Sequence, residues 1–427
     1  MPSRTKPNVT RRSRSSLSSS TTLRTGHQAE WDVESTKTAA AESALKAVEL
    51  FCGIGGFRIA ADRLGIETVW ANDFNKLACS VYRRRFDTGT LVEGDINELI
   101  HQVPQHDLLT AGFPCQPFSA AGKKLGIKDP RGSLFQSIVD VLEQRQPRFF
   151  VLENVKRLLT MEGGVHFATV LAALSQLPYF VEWRVLNAKH FGLAQNRERV
   201  VIVGHRVPRG QSVTSNLRLL TEKDASQLPA RTMTFLDSVD RWQPVEDHAT
   251  KFPNWGAAFQ GMFFAHEVDE FNAAVTPSTL GDVLMSEVPS EYDFTAATLS
   301  RLHMNETVDR FIQGVEIVSN QGGGARMGYT IFGTKGLAPT LTASTSRHYE
   351  RYQVGSTYRR LTPTEYARLQ GFPDNHCDSQ KPYDQYGLYG NAVPPVLVEW
   401  AMKRLIQGEG FSSISHRSNQ PELFDVF

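Results

Sequence analysis

The chain has 427 residues, of which 41% are hydrophobic and 21% charged, and its 46 Lys and Arg nearly balance its 45 Asp and Glu. This length exceeds one ordinary core, and no apolar run approaches the roughly 20 residues that span a bilayer. We therefore expect a cytoplasmic protein without membrane contact, whose nucleic-acid surface, if any, arises from local clusters of charge. Its cysteines have neither zinc-ligand nor disulfide spacing, which predicts a reducing compartment and no metal; they are Cys52, Cys79, Cys115 and Cys377.

The chain divides by composition into five segments. Residues 1–44 are rich in Ser, Thr, Arg and Lys and are predicted to be disordered. This basic tail could contact phosphates, serve as a transit peptide or have no function. From 45 to 205, short apolar runs alternate with amphipathic ones, which predicts an α/β domain with a doubly wound, mostly parallel sheet. A loop-rich segment, 206–379, precedes a helical segment, 380–408, and a flexible tail, 409–427.

The first strand runs into a glycine turn, "AVELFCGIGGF", that brings the backbone close to a ligand at the carboxyl end of the sheet. Asp73 ends the next strand about 20 residues later, where an acid commonly binds a ribose. A nucleoside-containing cofactor is therefore predicted. Arg58 stands where a dinucleotide fingerprint has its third glycine, which argues against NAD.

Three further motifs place reactive groups at the same edge. Cys115 follows the strand "DLLTA" in the rigid loop "GFPCQPFS", which is unlike the surroundings of an inert buried thiol. Glu153 closes the strand "FFVLEN", where partial burial would raise its pKa and suit it to donate a proton. Arg197 and Arg199 lie two residues apart and share one side of a strand, so both can face one polar group.

Seven motifs in order resemble those of DNA (cytosine-5)-methyltransferases, from about Ala47 to Gln407. They are "ELFCGIGGF", "GDI", "GFPCQPFSAAGK", "ENV", "QNRERV", "RRLTPTEYARLQGFP" and "GNAVPPVL". The resemblance implies a catalytic and cofactor-binding domain at 45–205, a target-recognition domain and hinge at 206–379, and a segment completing the first domain at 380–408. It also implies a Rossmann-like fold that uses S-adenosylmethionine.

The resemblance assigns the chemistry to four residues. Cys115 would attack C6 of a cytosine flipped out of duplex DNA, while Glu153 contacts N3 and the exocyclic amine. Arg199, with Arg197 beside it, would hold the base oxygen or order the site. The segment 118–131 resembles a loop that closes over the flipped base.

The resemblance also assigns a cofactor site whose methyl donor leaves as S-adenosylhomocysteine. Phe51 would stack on adenine, the glycines would admit the methionine portion, and Asp73 would bind the ribose. The complete predicted set is Phe51, Gly53, Gly55, Gly56, Asp73, Phe74, Asp95, Ile96, Pro114, Asn391, Ala392 and Val393.

Two segments outside these motifs carry further resemblances. Thr340 and Leu341 in "APTLTAS", with the loop "NQGGGAR", resemble family elements near the target base, although glycine-rich loops often serve only as turns. The peptide Gln420–Phe424 resembles the QxxLF motif that docks on the replication sliding clamp, and a chance match is the alternative.

The sequence predicts a monomeric prokaryotic enzyme associated with the nucleoid and part of a restriction-modification system or solitary. Two alternatives stay open. One is methylation of cytosine in transfer RNA, and the other is an inactive homologue that binds DNA sequence-specifically.

Overall fold

The computed structural model describes residues 44–86, 89–114, 134–207, 216–248, 250–271, 275–276, 278–302, 306–320, 330–343 and 350–408. Several predicted features lie outside these ranges: the tail before Ala44, Cys115, the segment 118–131, the loop "QGGGAR" and the peptide Gln420–Phe424. Residues 44–427 cluster as one unit, and the predicted domain boundaries inside it stay predictions.

Fifteen strands occur among the described residues. Ten of them build the larger sheet: β1 (Lys46–Leu50), β2 (Glu67–Asp73), β3 (Leu91–Glu93), β4 (Leu108–Gly112), β5 (Phe149–Val155), β6 (Tyr179–Asn187), β7 (Glu198–Arg206), β8 (Gln243–Pro244), β9 (Trp255–Phe259) and β10 (Met262–His266). Five build the smaller sheet: β11 (Glu306–Ile312), β12 (Val315–Asn320), β13 (Thr330–Phe332), β14 (Arg351–Val354) and β15 (Thr357–Arg359).

The described ranges also contain twelve α-helices. They are α1 (Gly56–Arg63), α2 (Lys76–Phe86), α3 (Ile96–Leu99), α4 (Leu134–Arg145), α5 (Val165–Ser175), α6 (Glu222–Gln227), α7 (Ala230–Leu236), α8 (Leu280–Val283), α9 (Ala296–Leu302), α10 (Pro363–Gln370), α11 (Pro382–Asn391) and α12 (Pro395–Gln407). None of these helices is long and apolar enough to cross a membrane.

The larger sheet has the order β3-β2-β1-β4-β5-β7-β6-β9-β10-β8. Strands β1 to β5 pair in parallel, as the alternation of strand and helix predicts. Strand β7 is antiparallel to both β5 and β6, so the sheet is mixed rather than mostly parallel. The segment 188–197 joins β6 to β7 and is shorter than the dozen or so residues that a parallel crossover requires. Strands β9, β10 and β8, from the predicted second domain, extend this sheet.

Alternate residues of the central strands face opposite layers of helix. Phe150 and Leu152 of β5 pack in the cluster that contains α4 and α5, whereas Val151 packs with α1 and α12. This alternation follows from the two-residue period of a strand buried on both faces. The predicted doubly wound α/β fold is therefore confirmed.

The C-terminal helix α12 returns to the first strands of the chain, as the sequence predicts. Leu397, Val398 and Ala401 are buried in the cluster that includes Phe57 and Ala60 of α1. Each fully buried Leu or Val contributes about 1.5–3 kcal/mol to folding. Burial of this apolar face joins residues separated by more than three hundred positions.

Glu49 in β1 is a buried acid with one side-chain hydrogen bond. It is 1% exposed, and its Oε2 accepts a hydrogen bond of 3.0 Å from the Tyr82 hydroxyl. Burial raises the pKa of Glu49 to about 8, although Tyr82 and Arg58 act in the opposite direction. The folded protein thus holds a proton here that the unfolded chain releases near the ordinary value for glutamic acid.

Glu49→Gln should make the free energy of unfolding less dependent on pH. Between about pH 5 and 8 the folded wild type binds one more proton than the unfolded chain, so its stability falls as the pH rises. The slope from one such group approaches about 1.4 kcal/mol per pH unit. Glutamine keeps an acceptor for Tyr82 and removes this slope. Denaturant unfolding at pH 6 and at pH 8 gives the change in the free energy of unfolding between these two pH values, with exposed Glu67→Gln as the control. An equal change in wild type and in Glu49→Gln would contradict the prediction.

Candidate active site

The predicted site residues converge where parallel strands of the larger sheet end. Phe51 follows β1, Asp73 ends β2, Pro114 follows β4, and Glu153 lies near the end of β5. These strands are neighbours in the order β2-β1-β4-β5. Their carboxyl ends therefore share one edge, which is where open α/β sheets bind ligands.

The three glycines of the turn after β1 have different surroundings. A Cβ built on Gly53 would meet nothing within 4 Å, so this glycine borders open space. A Cβ on Gly55 would lie 2.2 Å from the Phe86 ring, and one on Gly56 would lie 2.3 Å from the Val393 carbonyl oxygen. Gly55 and Gly56 therefore allow close packing of the protein itself, and the expectation that all three glycines admit a ligand stays a prediction.

Asp73 holds this glycine turn in place. Its Oδ2 accepts a hydrogen bond of 2.8 Å from the Gly53 N–H, and its Oδ1 accepts one of 2.8 Å from the Asn75 N–H. Burial raises the pKa of Asp73, and these backbone hydrogen bonds partly offset that effect. Each carboxylate oxygen has more than one acceptor position, so Asp73 can fix the turn and still accept from a ligand.

An exposed aromatic ring stands beside the turn. Phe74 is 65% exposed directly after β2, whereas Phe51 after β1 is half-buried with a φ of 54°. Ile96 is buried at the start of α3, and Asp95 caps that helix by accepting from the Asn97 N–H at 2.9 Å. Exposed phenylalanine at a ligand edge is typical of a surface that a flat aromatic group covers.

The segment Asn391–Val393 reaches the same edge from the end of the chain. The Val393 carbonyl contacts Gly56, and its Cγ2 lies 3.2 Å from where a Cβ on Gly112 would be. Val393 therefore touches both the glycine turn and the end of β4. Asn391 instead faces the cavity described below.

Glu153 forms a buried ion pair with Arg199. The Arg199 Nε lies 2.8 Å from Glu153 Oε1, and only 10% of either side chain is exposed. Burial raises the pKa of Glu153, and the nearby Arg199 and Arg197 partly offset the increase. Glu153 Oε2 lies 3.7 Å from where a Cβ on Gly112 would be, so the carboxyl group faces the end of β4, three residues before Cys115.

Asn154 fixes the backbone of the residues that follow β4. The sequence motifs did not single out this residue. Its Nδ2 donates a hydrogen bond of 2.9 Å to the Phe113 carbonyl, and it is 2% exposed. The contact ties the backbone that leads to Pro114 onto β5. Its position inside the "ENV" motif was the available signal.

Arg197 does not join the ion pair. Its Nη1 donates to the Leu341 carbonyl at 2.8 Å, and its Nη2 donates to the carbonyls of Gly390 and Ala392 at 2.9 and 3.0 Å. The side chain is 1% exposed, and burial lowers its pKa well below the usual value. Both arginines lower the pKa of Glu153, which agrees with the prediction that they lie on the same side of the chain. Only Arg199 forms an ion pair with Glu153.

A cavity of about 490 Å³ opens beside Arg199. Its lining includes Lys156, Arg157, Asn196, Gln313, Thr340 and Asn391. The Thr340 hydroxyl donates to the Asn196 carbonyl at 2.6 Å, and the Leu341 N–H donates to Gln195 Oε1 at 3.0 Å. The predicted Thr340–Leu341 pair is thus fixed against the "QNRER" motif. Within the described ranges, no group of three His, Cys, Asp or Glu side chains could hold a metal ion.

Arg197→Ala should destabilise the protein strongly, because three buried carbonyls lose their donor. Each unsatisfied buried group costs about 1–3 kcal/mol, so the loss should reach about 3 kcal/mol or more. Arg197→Lys should rescue it only in part, since one ammonium group cannot reproduce the planar fork. Thermal or denaturant unfolding measures this loss. Exposed Arg206→Ala, at the far end of the strand that begins directly after Arg197, is the control. An equal loss in both variants would exclude the assigned role.

Comparison with known proteins identifies the family. A family model described as C-5 cytosine-specific DNA methylase matches residues 45–407. The chain is 33% identical over 361 residues to the type II methyltransferase M.NgoBI of Neisseria gonorrhoeae, across 84% of this chain and 92% of the relative. It is 28% identical over 356 residues to M.HhaI of Haemophilus parahaemolyticus, across 82% and 90% of the two chains.

A solved structure agrees with the fold. The Dnmt2 methyltransferase of S. pombe superposes with a TM-score of 0.56 at 18% identity, across 86% of this chain and 100% of that one. At this identity the superposition supports the fold alone. The family model matches residues 45–407, which include the residues at the strand edge and those that line the cavity. The chain therefore belongs to the C-5 cytosine-specific DNA methylase family.

Proposed function

We propose that this protein transfers a methyl group from S-adenosylmethionine to C5 of a cytosine within a specific sequence of duplex DNA. The observation that carries the proposal is the buried Glu153–Arg199 ion pair, 2.8 Å between Nε and Oε1, at the strand edge that precedes Cys115. Acids with pKa values raised by burial and paired with a cation are typical of sites that transfer protons. A pyrimidine ring that gains and loses charge needs such a pair.

Cys115 is the nucleophile in this proposal, although it lies outside the described residues. Its thiolate would add to C6, and the electron pair of the C5–C6 double bond would move to C5. That carbon would take the methyl group as the donor's sulfur–methyl bond breaks, and S-adenosylhomocysteine would leave. A base then removes the C5 proton, and expulsion of the thiolate restores the double bond. Pro114, the preceding residue, is exposed at the end of β4, which supports an accessible thiol.

Glu153 and Arg199 act on the cytosine ring in this scheme. Burial raises the pKa of Glu153, which makes this acid easier to protonate than an exposed one. In its acid form Glu153 donates a proton to N3 as negative charge develops, and it takes that proton back when the thiolate leaves. Arg199 then exchanges its contact with Glu153 for the O2 oxygen of the ring. Arg197, which donates to three carbonyls, positions the chain around the site rather than touching the base.

The edge residues fit S-adenosylmethionine, which when bound supplies an electrophilic methyl group. Gly53 borders open space, and Asp73 keeps acceptor positions for ribose hydroxyls. The exposed ring of Phe74 and the half-buried ring of Phe51 can enclose adenine. Asp95 caps α3 beside buried Ile96 and can accept from the adenine amine.

The cavity beside Arg199 supports entry of a flipped base. A cytosine stacked in a duplex hides both ring faces, so the base must leave the helix at a cost of a few kcal/mol. Thr340 and Asn391 line the cavity, and Lys156 and Arg157 bring positive charge to its wall.

The nucleoid location, the monomeric state and the sliding-clamp contact of Gln420–Phe424 stay predictions.

Transfer of label from S-adenosylmethionine to cytosine tests the proposal. The purified wild type should label duplex DNA, and Cys115→Ser should abolish labelling because a hydroxyl is a far weaker nucleophile. Cys377→Ser, the same change at a buried thiol, is the control. A duplex with 5-fluorocytosine at the target should trap a covalent adduct at Cys115. Labelling of RNA but not of DNA would reject the proposal.

The rate should depend on pH through Glu153. Because the acid form donates the proton, kcat/KM should fall as the pH rises through the raised pKa of Glu153. Glu153→Gln should reduce kcat/KM by about 10²–10⁴-fold and remove this alkaline decline. The surface variant Glu399→Gln should keep the wild-type profile. An unchanged alkaline limb in Glu153→Gln would exclude Glu153 as the donor.

A further inference from the structure

The turn between β11 and β12 places a strained glutamine at the cavity. Gln313 has a φ of 49° and is followed by Gly314 with a φ of 84°. Residues other than glycine seldom adopt this left-handed backbone, and it persists only where the surroundings enforce it. Gln313 is exposed and lines the cavity beside Arg199 and Thr340.

The backbone next to Gln313 is held firmly. The Leu337 N–H donates to the Gly314 carbonyl at 2.8 Å, and Val315 forms a bridge with Leu337. Val315 is 6% exposed and belongs to a buried apolar cluster. The tip of the turn therefore keeps a fixed position relative to the cavity.

A chain of amide contacts sets which end of the Gln313 side chain faces the cavity. The backbone N–H of Arg197 donates to Asn187 Oδ1 at 3.0 Å, so the Nδ2 of Asn187 is its other end. This Nδ2 donates to Asn196 Oδ1 at 2.7 Å, and the Nδ2 of Asn196 donates to Gln313 Oε1 at 3.1 Å. Because each amide has one acceptor end and one donor end, Gln313 keeps the two hydrogens of Nε2 for another partner.

Positive charge lies on the wall of the same cavity. The Lys156 Nζ pairs with Glu198 Oε1 at 2.6 Å, whereas exposed Arg157 has no side-chain partner among the described residues. A neutral donor and a guanidinium that pairs with no side chain in the described ranges line the same cavity, and together they suit an anionic acceptor more than the mixed edge of a base. Backbone phosphates of DNA are such acceptors.

We propose that Gln313 donates a hydrogen bond from Nε2 to a backbone phosphate oxygen of the DNA strand that carries the target cytosine, with Arg157 supplying positive charge from the wall of the same cavity. The inference rests on the proposed function, because it requires DNA in the cavity. The amide chain from Asn187 through Asn196 makes Gln313 a donor rather than an acceptor. Gln313 is therefore a positioning residue that fixes the strand next to the flipped base.

The substitution Gln313→Glu tests this role with little change in shape. Its carboxylate can still accept from Asn196, but it replaces the donor by a negative charge facing the phosphate. The affinity of Gln313→Glu for a duplex that contains the target sequence should be about tenfold or more below that of the wild type. The turnover number at saturating DNA and the melting temperature should stay near wild type, so the defect appears in KM.

The chain contains a matched control at a second hairpin. Gln260 has a φ of 52° and precedes Gly261 with a φ of 75°, between β9 and β10, and it does not line the cavity. Gln260→Glu makes the same change in the same kind of turn and should alter DNA affinity by no more than about twofold. Equal losses of affinity in both variants would overturn the inference.

Two further measurements separate the remaining outcomes. Replacing single phosphates by methylphosphonates should reveal one position whose loss weakens the wild type but not Gln313→Glu any further. A changed sequence preference in Gln313→Glu, without such a position, would assign Gln313 to a base and overturn the phosphate contact.

Arg157→Ala should reduce the salt dependence of binding by about 0.9 in the slope of log K against log salt. Wild type that fails to methylate DNA would instead overturn the proposed function.

Discussion

The guanidinium of Arg197 joins three parts of the chain that meet around the cavity. It donates to carbonyls of Leu341, Gly390 and Ala392, which lie between 144 and 195 residues away in the sequence. The backbone is packed so closely here that a Cβ on Gly390 would lie 2.3 Å from the Thr342 carbonyl oxygen. Buried carbonyls outside a sheet need donors from side chains, and one planar guanidinium supplies them.

The neighbouring arginine has a different environment. Arg199 pairs with Glu153, whose burial raises its pKa while the two cations act against that rise. A buried pair of this kind contributes little net stability, since desolvation of both groups offsets their attraction. In the proposed function its role is preorganisation, because both groups already stand at the strand edge where the base would bind.

The glycine turn after β1 is held by contacts with distant parts of the chain. Gly55 and Gly56 are required by Phe86 and Val393, so two of the three glycines serve packing. Asp73 fixes the turn through the Gly53 N–H, and only Gly53 borders open space. The C-terminal segment therefore contributes to the shape of the edge through Val393.

Sequence patterns determined the strands and helices of the α/β core, the glycine turn, the return of α12 and the set of residues at the strand edge. These follow from short-range physics, because hydrophobic period, turn chemistry and the shared edge of parallel strands depend on local residues. The antiparallel place of β7, the different partners of Arg197 and Arg199, and the polarity of Gln313 were decided only by tertiary structure. Each depends on groups far apart in the chain, such as the Gly390 carbonyl or the Asn196 amide, whose approach no local pattern encodes.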